Sequence, residues 1–190
     1  TTYAWYNLDT GAPHIDWNTT VNTTYCSSTV EICVNLSETG NCTLHFNGTD
    51  VPNATQGTRI CWTQTSLSGN YTFNATCEDL SGNARLSPSA WIYVDKTPPV
   101  LTWGWNRNLT DSRTKINVTL TSDSMLSGCT LNVSGTFYPM VDNTTTWYYE
   151  LSPSDGNQSL IAYCNDTCNN TGYTTYAWYN LDTGAPHIDW

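Results

Sequence analysis

Residues Tyr71–Cys77 read YTFNATC, in which apolar and polar side chains alternate. This period of two predicts a β-strand with one face in a core, and it places Asn70 and Asn74 on the solvent face. No apolar stripe of helical spacing continues for more than one turn in the chain. Four further segments alternate in the same way: Ala90–Val94, Lys115–Leu120, Thr130–Val133 and Ser159–Cys164. Short strands separated by Gly, Asn, Asp and Ser turns predict an all-β chain of antiparallel sandwiches.

An internal repeat indicates the period of the chain. Residues Thr1–Trp17, TTYAWYNLDTGAPHIDW, recur without change as Thr174–Trp190, at an offset of 173 residues. A weaker copy, SAWIYVDKTPPVLTW, lies at Ser89–Trp103. It divides the period into two related units of about 86 residues, a common size for a small β-domain. The repeat therefore predicts a window of a longer tandem array.

The joins of this repeat predict the domain boundaries. We expect one sandwich over residues 10–96 and a second over residues 97–183. Residues 1–9 are then the last strand of a preceding repeat, and residues 184–190 are the first strand of the next.

Charge and hydropathy exclude two classes of function. The chain has six Lys and Arg residues against sixteen Asp and Glu, with a formal net charge of −10. Nucleic-acid binding needs a basic face, so we expect no nucleic-acid partner. No run of 18 apolar residues occurs, so the sequence predicts no membrane span in this segment.

The cysteines predict disulfides. Eight occur with only three histidines and without a Cys-x-x-Cys pair, which disfavours a metal cluster. Because disulfides persist in oxidising compartments, we expect an extracellular or cell-surface protein. Aligning the two units matches Cys42 with Cys129 and Cys77 with Cys164. Cysteines shared by both units should bond within each, which predicts Cys42–Cys77 and Cys129–Cys164.

Most asparagines lie in Asn-X-Ser/Thr sequons, fifteen of twenty in all. Thr and Ser fill 49 of the 190 positions, so chance predicts only about five sequons among twenty asparagines. The excess predicts dense N-glycosylation. The predicted sites are Asn18, Asn22, Asn35, Asn41, Asn47, Asn53, Asn70, Asn74, Asn108, Asn117, Asn132, Asn143, Asn157, Asn165 and Asn169.

The endings of the two units carry a family resemblance. The segment CEDLSGNARLSPSAWIYVDKTPPV at Cys77–Val100 resembles tandem immunoglobulin-like repeats of bacterial and archaeal surface proteins, and CNDTCNNTGYTTYAWYNLDTGAPHI, from Cys164 onward, does so more weakly. The resemblance implies two immunoglobulin-like sandwiches in series, in a cell-surface or extracellular filament array. The chain departs from antibody domains at Ala75, because a corner Tyr is expected two residues before Cys77.

The immunoglobulin-like strand order also bears on the four remaining cysteines. It makes the strands of Cys33 and Cys61 sheet neighbours, which implies a Cys33–Cys61 bond. A bond between Cys26 and Cys168 is then the preferred fourth pair. A local Cys26–Cys33 pair and a bond between neighbouring chains are the alternatives.

Catalytic and metal sites have little support. No G-x-S-x-G motif occurs, and His14 and His187 occupy the same linker position in successive copies. We expect no enzymatic activity, no catalytic residue and no cofactor beyond covalent N-glycans. Calcium is an alternative at the domain joints, where five aspartates gather: Asp9, Asp16, Asp95, Asp182 and Asp189. Turn chemistry explains the same residues and is favoured, so we expect no metal site.

Aromatic residues are abundant, with nine tryptophans and twelve tyrosines. Trp62 and Trp147 take matched strand positions, which predicts that both lie inside. Five tryptophans fall near the joints: Trp5, Trp17, Trp103, Trp178 and Trp190. Packing in cores and joints is favoured for these rings over stacking on sugars.

These patterns predict a structural subunit of a heavily N-glycosylated extracellular fibre, stalk or surface coat. Its partners are further copies of itself and its own glycans. The alternative is an adhesin-type module that binds carbohydrate or cells, which would need a surface free of sequons. Growth as one long chain, or by donation of a surplus strand to a neighbour, stays open.

Overall fold

The fold consists of two compact units, Thr1–Lys96 and Thr97–Trp190. The computed structural model describes residues 8–53, 55–104, 109–111, 116–143, 146–152 and 154–184, with the backbone alone for 109–111, 116 and 117. All regular elements in these ranges are β-strands. The predicted terminal strands lie outside the described residues, apart from Leu8, Asp9 and Gly184, which are not in strands.

Unit 1 contains eight strands. They are β1 (Ile15–Trp17), β2 (Thr23–Tyr25), β3 (Val30–Phe46), β4 (Thr49–Pro52), β5 (Gly57–Gln64), β6 (Gly69–Asp79), β7 (Ala84–Leu86) and β8 (Ala90–Val94). The alternating segment Tyr71–Cys77 lies within β6, and the predicted strand Ala90–Val94 is β8.

Strand β3 joins two groups of strands in unit 1. Its first half, residues 30–35, pairs antiparallel with β5 and carries β1 on its other side. Its second half, residues 40–46, pairs antiparallel with β6 and carries β4. Beyond β6 come β8 and then β2, which runs parallel to β8, and β7 pairs with the end of β6. The two groups form the two layers of the sandwich.

Unit 2 contains ten strands in two separate sheets. They are β9 (Leu101–Trp103), β10 (Leu109–Asp111), β11 (Ile116–Ser122), β12 (Leu126–Val133), β13 (Thr136–Pro139), β14 (Val141–Asp142), β15 (Trp147–Leu151), β16 (Gly156–Asp166), β17 (Thr171–Tyr173) and β18 (Ala177–Leu181). One sheet has the order β14-β15-β11-β9. The other has the order β10-β18-β16-β12-β13, with β17 paired to β16.

The two units repeat one topology. In each, a short strand after the first one pairs parallel with the last strand, β2 with β8 and β10 with β18. Each unit also has its own apolar core. Ile32, Leu44 and Ile92 are fully buried in unit 1, and Leu120 and Leu131 are fully buried in unit 2. Each such side chain contributes about 1.5–3 kcal/mol to folding.

The register corrects the expected match of Trp62 with Trp147. In unit 1, Val34 lies between Trp17 and Ile60. In unit 2, Leu120 lies between Trp103 and Trp147. Trp147 therefore corresponds to Ile60, two positions away from Trp62 along the strand. Trp62 is buried at 5% exposure, whereas Trp147 is only partly buried against the core of unit 2.

Candidate functional site

The predicted glycosylation sites lie at the surface. Thirteen of the fifteen sequon asparagines have described side chains, and none of these is buried. Nine are exposed: Asn18, Asn22, Asn35, Asn41, Asn47, Asn70, Asn143, Asn157 and Asn169. Four are half-buried: Asn53, Asn74, Asn132 and Asn165. Asn108 lies outside the described residues, and Asn117 is described only by its backbone in β11.

Three of these asparagines have left-handed backbone conformations. The φ angles are 58° at Asn22, 48° at Asn47 and 61° at Asn169. Asn47 is followed by Gly48 at a φ of 82°, in the tight turn between β3 and β4. Asn adopts positive φ more readily than most residues. Turn geometry is thus a second reason for Asn at these positions, besides the sequon.

Two sequons of unit 1 meet where the chain leaves β1 beside β3. The Asn18 Nδ2 donates to Asn35 Oδ1 at 3.0 Å. A glycosylated amide nitrogen keeps one N–H, so this bond is compatible with a sugar on Asn18. By contrast, the half-buried Asn53 donates its Nδ2 to the Cys61 carbonyl at 2.8 Å, inside the turn between β4 and β5.

Three disulfides join directly opposed residues of neighbouring strands. They are Cys33–Cys61 between β3 and β5, Cys42–Cys77 between β3 and β6, and Cys129–Cys164 between β12 and β16. These are the pairs expected from the sequence. In unit 1, Cys33–Cys61 lies in the layer of β5, and Cys42–Cys77 lies in the layer of β6.

Cys26 and Cys168 each have a disulfide partner as well. The local alternative Cys26–Cys33 is wrong, because Cys33 bonds to Cys61. The expected Cys26–Cys168 pair stays a prediction.

Two matched aspartates close the turns that follow β6 in unit 1 and β16 in unit 2. Asp79 Oδ1 accepts from the N–H of Ser81 and of Asn83, both at 2.8 Å, and its Oδ2 accepts from Asn83 Nδ2 at 2.8 Å. Asp166 makes the same three bonds in unit 2, at 2.7, 2.9 and 2.9 Å, to the residues at the same spacing. The segments Asp79–Asn83 and Asp166–Asn170 are therefore carboxylate-capped turns.

These bonds also set the charge state of the turn in unit 1. The Asn83 side chain is the main cause that lowers the pKa of Asp79 from its usual 3.8. Backbone N–H groups lower the pKa further, against the opposing effect of burial.

Two of the joint aspartates, Asp9 and Asp182, accept backbone hydrogen bonds in turns. Asp9 Oδ1 accepts from the Gly11 N–H at 3.0 Å, and Asp182 Oδ1 accepts from the Gly184 N–H at the same distance. Asp16 lies 3.2 Å from His14 Nε2. Asp95 donates its backbone N–H to the Tyr25 carbonyl, and Asp189 lies outside the described residues. The side-chain bonds of Asp9 and Asp182 are turn bonds of the kind expected from the sequence.

Three carboxylates of unit 1 lie as close together as the ligands of a cation site. Oxygens of Asp9, Glu38 and Asp79 lie within 4.8 Å of one another. Both oxygens of Asp79 already accept the turn bonds described above, and Asp9 is exposed. A second group of similar spacing includes the bonded Cys33 and Cys61, whose sulfurs cannot act as thiolate ligands.

His45 makes two polar contacts that the sequence did not predict. Its Nδ1 lies 2.6 Å from Asp50 Oδ1 and its Nε2 lies 2.8 Å from Thr76 Oγ1. The three residues belong to β3, β4 and β6, so only the sheet register brings them together. Thr76 is also the hydroxyl residue of the Asn74 sequon. His14 is exposed, and His187 lies outside the described residues.

Trp17 and Trp103, which lie on the first strands of the two units, each form a side-chain hydrogen bond within their own unit. Trp17 Nε1 donates to the Pro88 carbonyl at 3.2 Å, and Trp103 Nε1 donates to the Thr175 carbonyl at 2.9 Å. Trp178 is 38% exposed. Trp5 and Trp190 lie outside the described residues.

None of the described elements is a helix that could cross a membrane. No family model matches the sequence, and no curated protein matches it significantly.

Solved structures match the fold of the chain. A structure of a 1.5-MDa bacterial ice-binding adhesin matches with a TM-score of 0.58 and 16% identity, over 93% of this chain and 67% of that one. The I9-I11 tandem from titin matches with a TM-score of 0.51 and 11% identity, over 89% of this chain and 66% of that one. Fibronectin(III)-like modules of Clostridium thermocellum CbhA align over 93% and 99%, at 13% identity and a TM-score of 0.41. The matches to the adhesin and to titin, both with TM-scores above 0.5, show that the chain has an immunoglobulin-like fold.

Proposed function

We propose that this chain, with its two units of immunoglobulin-like fold, is a structural subunit of a heavily N-glycosylated extracellular fibre, stalk or surface coat. Further copies of the chain and its own glycans are its partners. No catalytic role and no cofactor other than the covalent sugars form part of the proposal.

The accessibility of the sequons is the observation that carries this proposal. An oligosaccharide can be attached only where the asparagine side chain reaches solvent, so dense glycosylation requires sequons outside the core. All thirteen described sequon asparagines avoid the buried class, and they occur in both units. A sugar layer spread in this way leaves little bare surface for a protein partner, which favours a structural role over recognition.

The disulfides suit a load-bearing or protease-resistant role. Each cross-links two hydrogen-bonded strands, so local separation of those strands requires a covalent bond to break. Such bonds belong to oxidising compartments, which supports a secreted or cell-surface protein. The adhesin among the fold neighbours, described by its cell-surface retention, is consistent with that location.

Glycopeptide mapping of the native protein tests the proposal. We expect sugar on most of the accessible sequons in both units, with the non-sequon residues Asn83, Asn170 and Asn180 as bare internal controls. Bare sequons throughout would overturn the glycosylated-fibre proposal. Specific binding of oligosaccharides by the deglycosylated protein would favour the adhesin alternative instead.

A chelator experiment tests the absence of a structural metal. The carboxylates of Asp9, Glu38 and Asp79 are the candidate ligands. A cation bound there would stabilise the folded state by mass action. We expect addition of EDTA to shift Tm by less than about 1 °C, and addition of Ca²⁺ to do the same. A drop on chelation that Ca²⁺ reverses would establish the calcium alternative.

A further inference from the structure

Unit 2 carries a row of aromatic rings on the outer face of its six-stranded sheet. Phe137 on β13, Tyr163 on β16 and Tyr173 on β17 have successive ring centroids 6.4 Å apart. Phe137 is 60% exposed and Tyr173 is 69% exposed. We call these three residues the aromatic shelf. Rings that large are costly to leave in water, so their exposure calls for an explanation.

A groove opens beside the shelf. It has a volume of about 440 Å³ and is lined by Gly128, Cys129, Thr130, Phe137, Tyr163 and Asn165. Gly128 forms part of its floor, and a Cβ placed there would meet nothing within 4 Å. The volume falls in the range of sites for small organic ligands, and the lining combines rings with a few polar groups, as such sites do.

A sequon asparagine borders this groove. Asn165 follows Tyr163 by two residues on β16, so both side chains lie on the same face of the sheet. Asn165 is opposed by Gly128 on one side and by Thr171 on the other. Thr171 Oγ1 donates to Asn165 Oδ1 at 2.8 Å, which turns the carbonyl side of the amide toward β17. The amide nitrogen, on the other side of Cγ, therefore faces the space above Gly128.

We propose that the aromatic shelf and its groove hold the first sugars of the N-glycan on Asn165. The N-glycosidic bond forms between Nδ2 and the anomeric carbon of a glycosyl phosphate donor, whose phosphate leaves as the amide loses a proton. The apolar C–H face of a pyranose then lies on Tyr163, with Phe137 at its edge. This deepens the proposed function and rests on it, because it assigns an ordered glycan to one sequon.

Unit 1 provides the matched comparison. Register with the Cys42–Cys77 pair places Thr76 where unit 2 has Tyr163, and Glu78 where unit 2 has Asn165. Asp50, on β4, takes the place next to the central strand where unit 2 has Phe137. This face of unit 1 has the His45, Asp50 and Thr76 hydrogen bonds instead of a shelf. The shelf therefore occurs in the unit that has a sequon at the Asn165 position and is missing from the described residues of the unit that has Glu78 there.

A thermodynamic cycle on the glycosylated full chain tests this assignment. Thr167→Ala removes the Asn165 sequon without touching the turn bonds of Asp166, and Tyr163→Thr installs the residue of unit 1. We expect Thr167→Ala to lower Tm by about 3–6 °C when Tyr163 is present, and by less than about 1 °C in the Tyr163→Thr background. Glycopeptide mapping of each protein verifies occupancy at Asn165.

Asn157 supplies the matched control sequon on the same strand. It lies six residues from Tyr163, about 20 Å along β16, and Ser159→Ala removes its sequon. The effect of Ser159→Ala on Tm should be the same with Tyr163 or Thr at position 163. Because the cycle compares differences, a general loss of stability from Tyr163→Thr cancels.

Three results would overturn the assignment. The first is an equal loss of Tm on Thr167→Ala in both backgrounds, and the second is the same dependence on Tyr163 for the Asn157 control. The third is a bare Asn165 beside glycosylated sequons elsewhere, which would leave the proposed fibre intact. Bare sequons throughout would remove both this assignment and the proposed function.

Discussion

Ser87 and Thr174 are buried hydroxyl residues at matched positions of the two units, 5% and 2% exposed. The Ala75 N–H donates to Ser87 Oγ at 2.9 Å, and the Ala162 N–H donates to Thr174 Oγ1 at 3.0 Å. In return, the backbone N–H of each hydroxyl residue donates to the same alanine's carbonyl. Each side chain therefore satisfies a backbone group that burial removes from water.

Thr174→Val should lower the free energy of unfolding by about 1–3 kcal/mol, because the isosteric side chain leaves the Ala162 N–H buried without its acceptor. Thr174→Ser keeps the hydroxyl and should cost about 1 kcal/mol or less, for one lost methyl. Urea denaturation of the full chain measures both. Equal stability of Thr174→Val and the unchanged protein would contradict this role.

Asp79 gives a pH-dependent contribution to stability. Because its pKa is lowered in the folded state, the contribution is complete above the usual value of 3.8 and is lost as the pH falls below it. Asp79→Asn should therefore lower Tm at neutral pH, and its difference from the unchanged protein should shrink as the pH is lowered through 3.8. The exposed neighbour Glu78, changed to Gln, is the control and should show no comparable trend. A difference that stays constant with pH would contradict the assignment.

At the scale of elements, paired strands cross-linked by disulfides are the common feature of the two units. Cys42 and Cys77 lie opposite each other between β3 and β6, as Cys129 and Cys164 do between β12 and β16. Both pairs have a sequence separation of 35 residues. Loops of equal length predict equal entropic stabilisation by the two bonds.

Replacing Cys42 and Cys77 together with Ala should lower the free energy of unfolding by about 3–4 kcal/mol, and replacing Cys129 and Cys164 should cost the same. Denaturant titration under non-reducing conditions measures each loss. With excess reductant, the unchanged protein should lose at least as much stability as the two double variants lose together, because reduction also breaks Cys33–Cys61 and the bonds of Cys26 and Cys168. Double variants with unchanged midpoints would show that the bonds do not stabilise the strands.

The internal repeat explains which elements could be predicted from the sequence. Cysteines present in both units fixed the pairs Cys42–Cys77 and Cys129–Cys164, because a bond conserved between two copies must lie within each. The match of Trp62 with Trp147 was wrong, because the strand register aligns Trp147 with Ile60. The two tryptophans therefore have different neighbours. The contacts of His45 were not predictable, because they join three strands and only the pairing register determines them.

The candidate site was partly visible in the sequence. The sequon pattern named the asparagines, and strand alternation placed Asn70 and Asn74 toward solvent. The aromatic shelf was not predicted, because Phe137, Tyr163 and Tyr173 meet only through the pairing of β12, β13, β16 and β17. The spacing of Tyr163 and Asn165 was the one signal that could have indicated it.

The whole molecule combines few charged residues with many accessible sequons. Charged residues make up only 12% of the chain, with a net charge of −10, so sugars would supply much of the hydration at the surface. The exact recurrence of Thr1–Trp17 at Thr174–Trp190 fits a polymer made of successive similar modules. In such a polymer, stability comes from each module and its neighbours, which suits length more than selectivity.

The most direct test of this account is a map of the native assembly at side-chain resolution. We expect a continuous filament in which immunoglobulin-like units follow one another, with branched density on the accessible asparagines of both units and ordered sugar against Tyr163. Isolated globular particles, or filaments whose sequon asparagines end in bare amides, would contradict it.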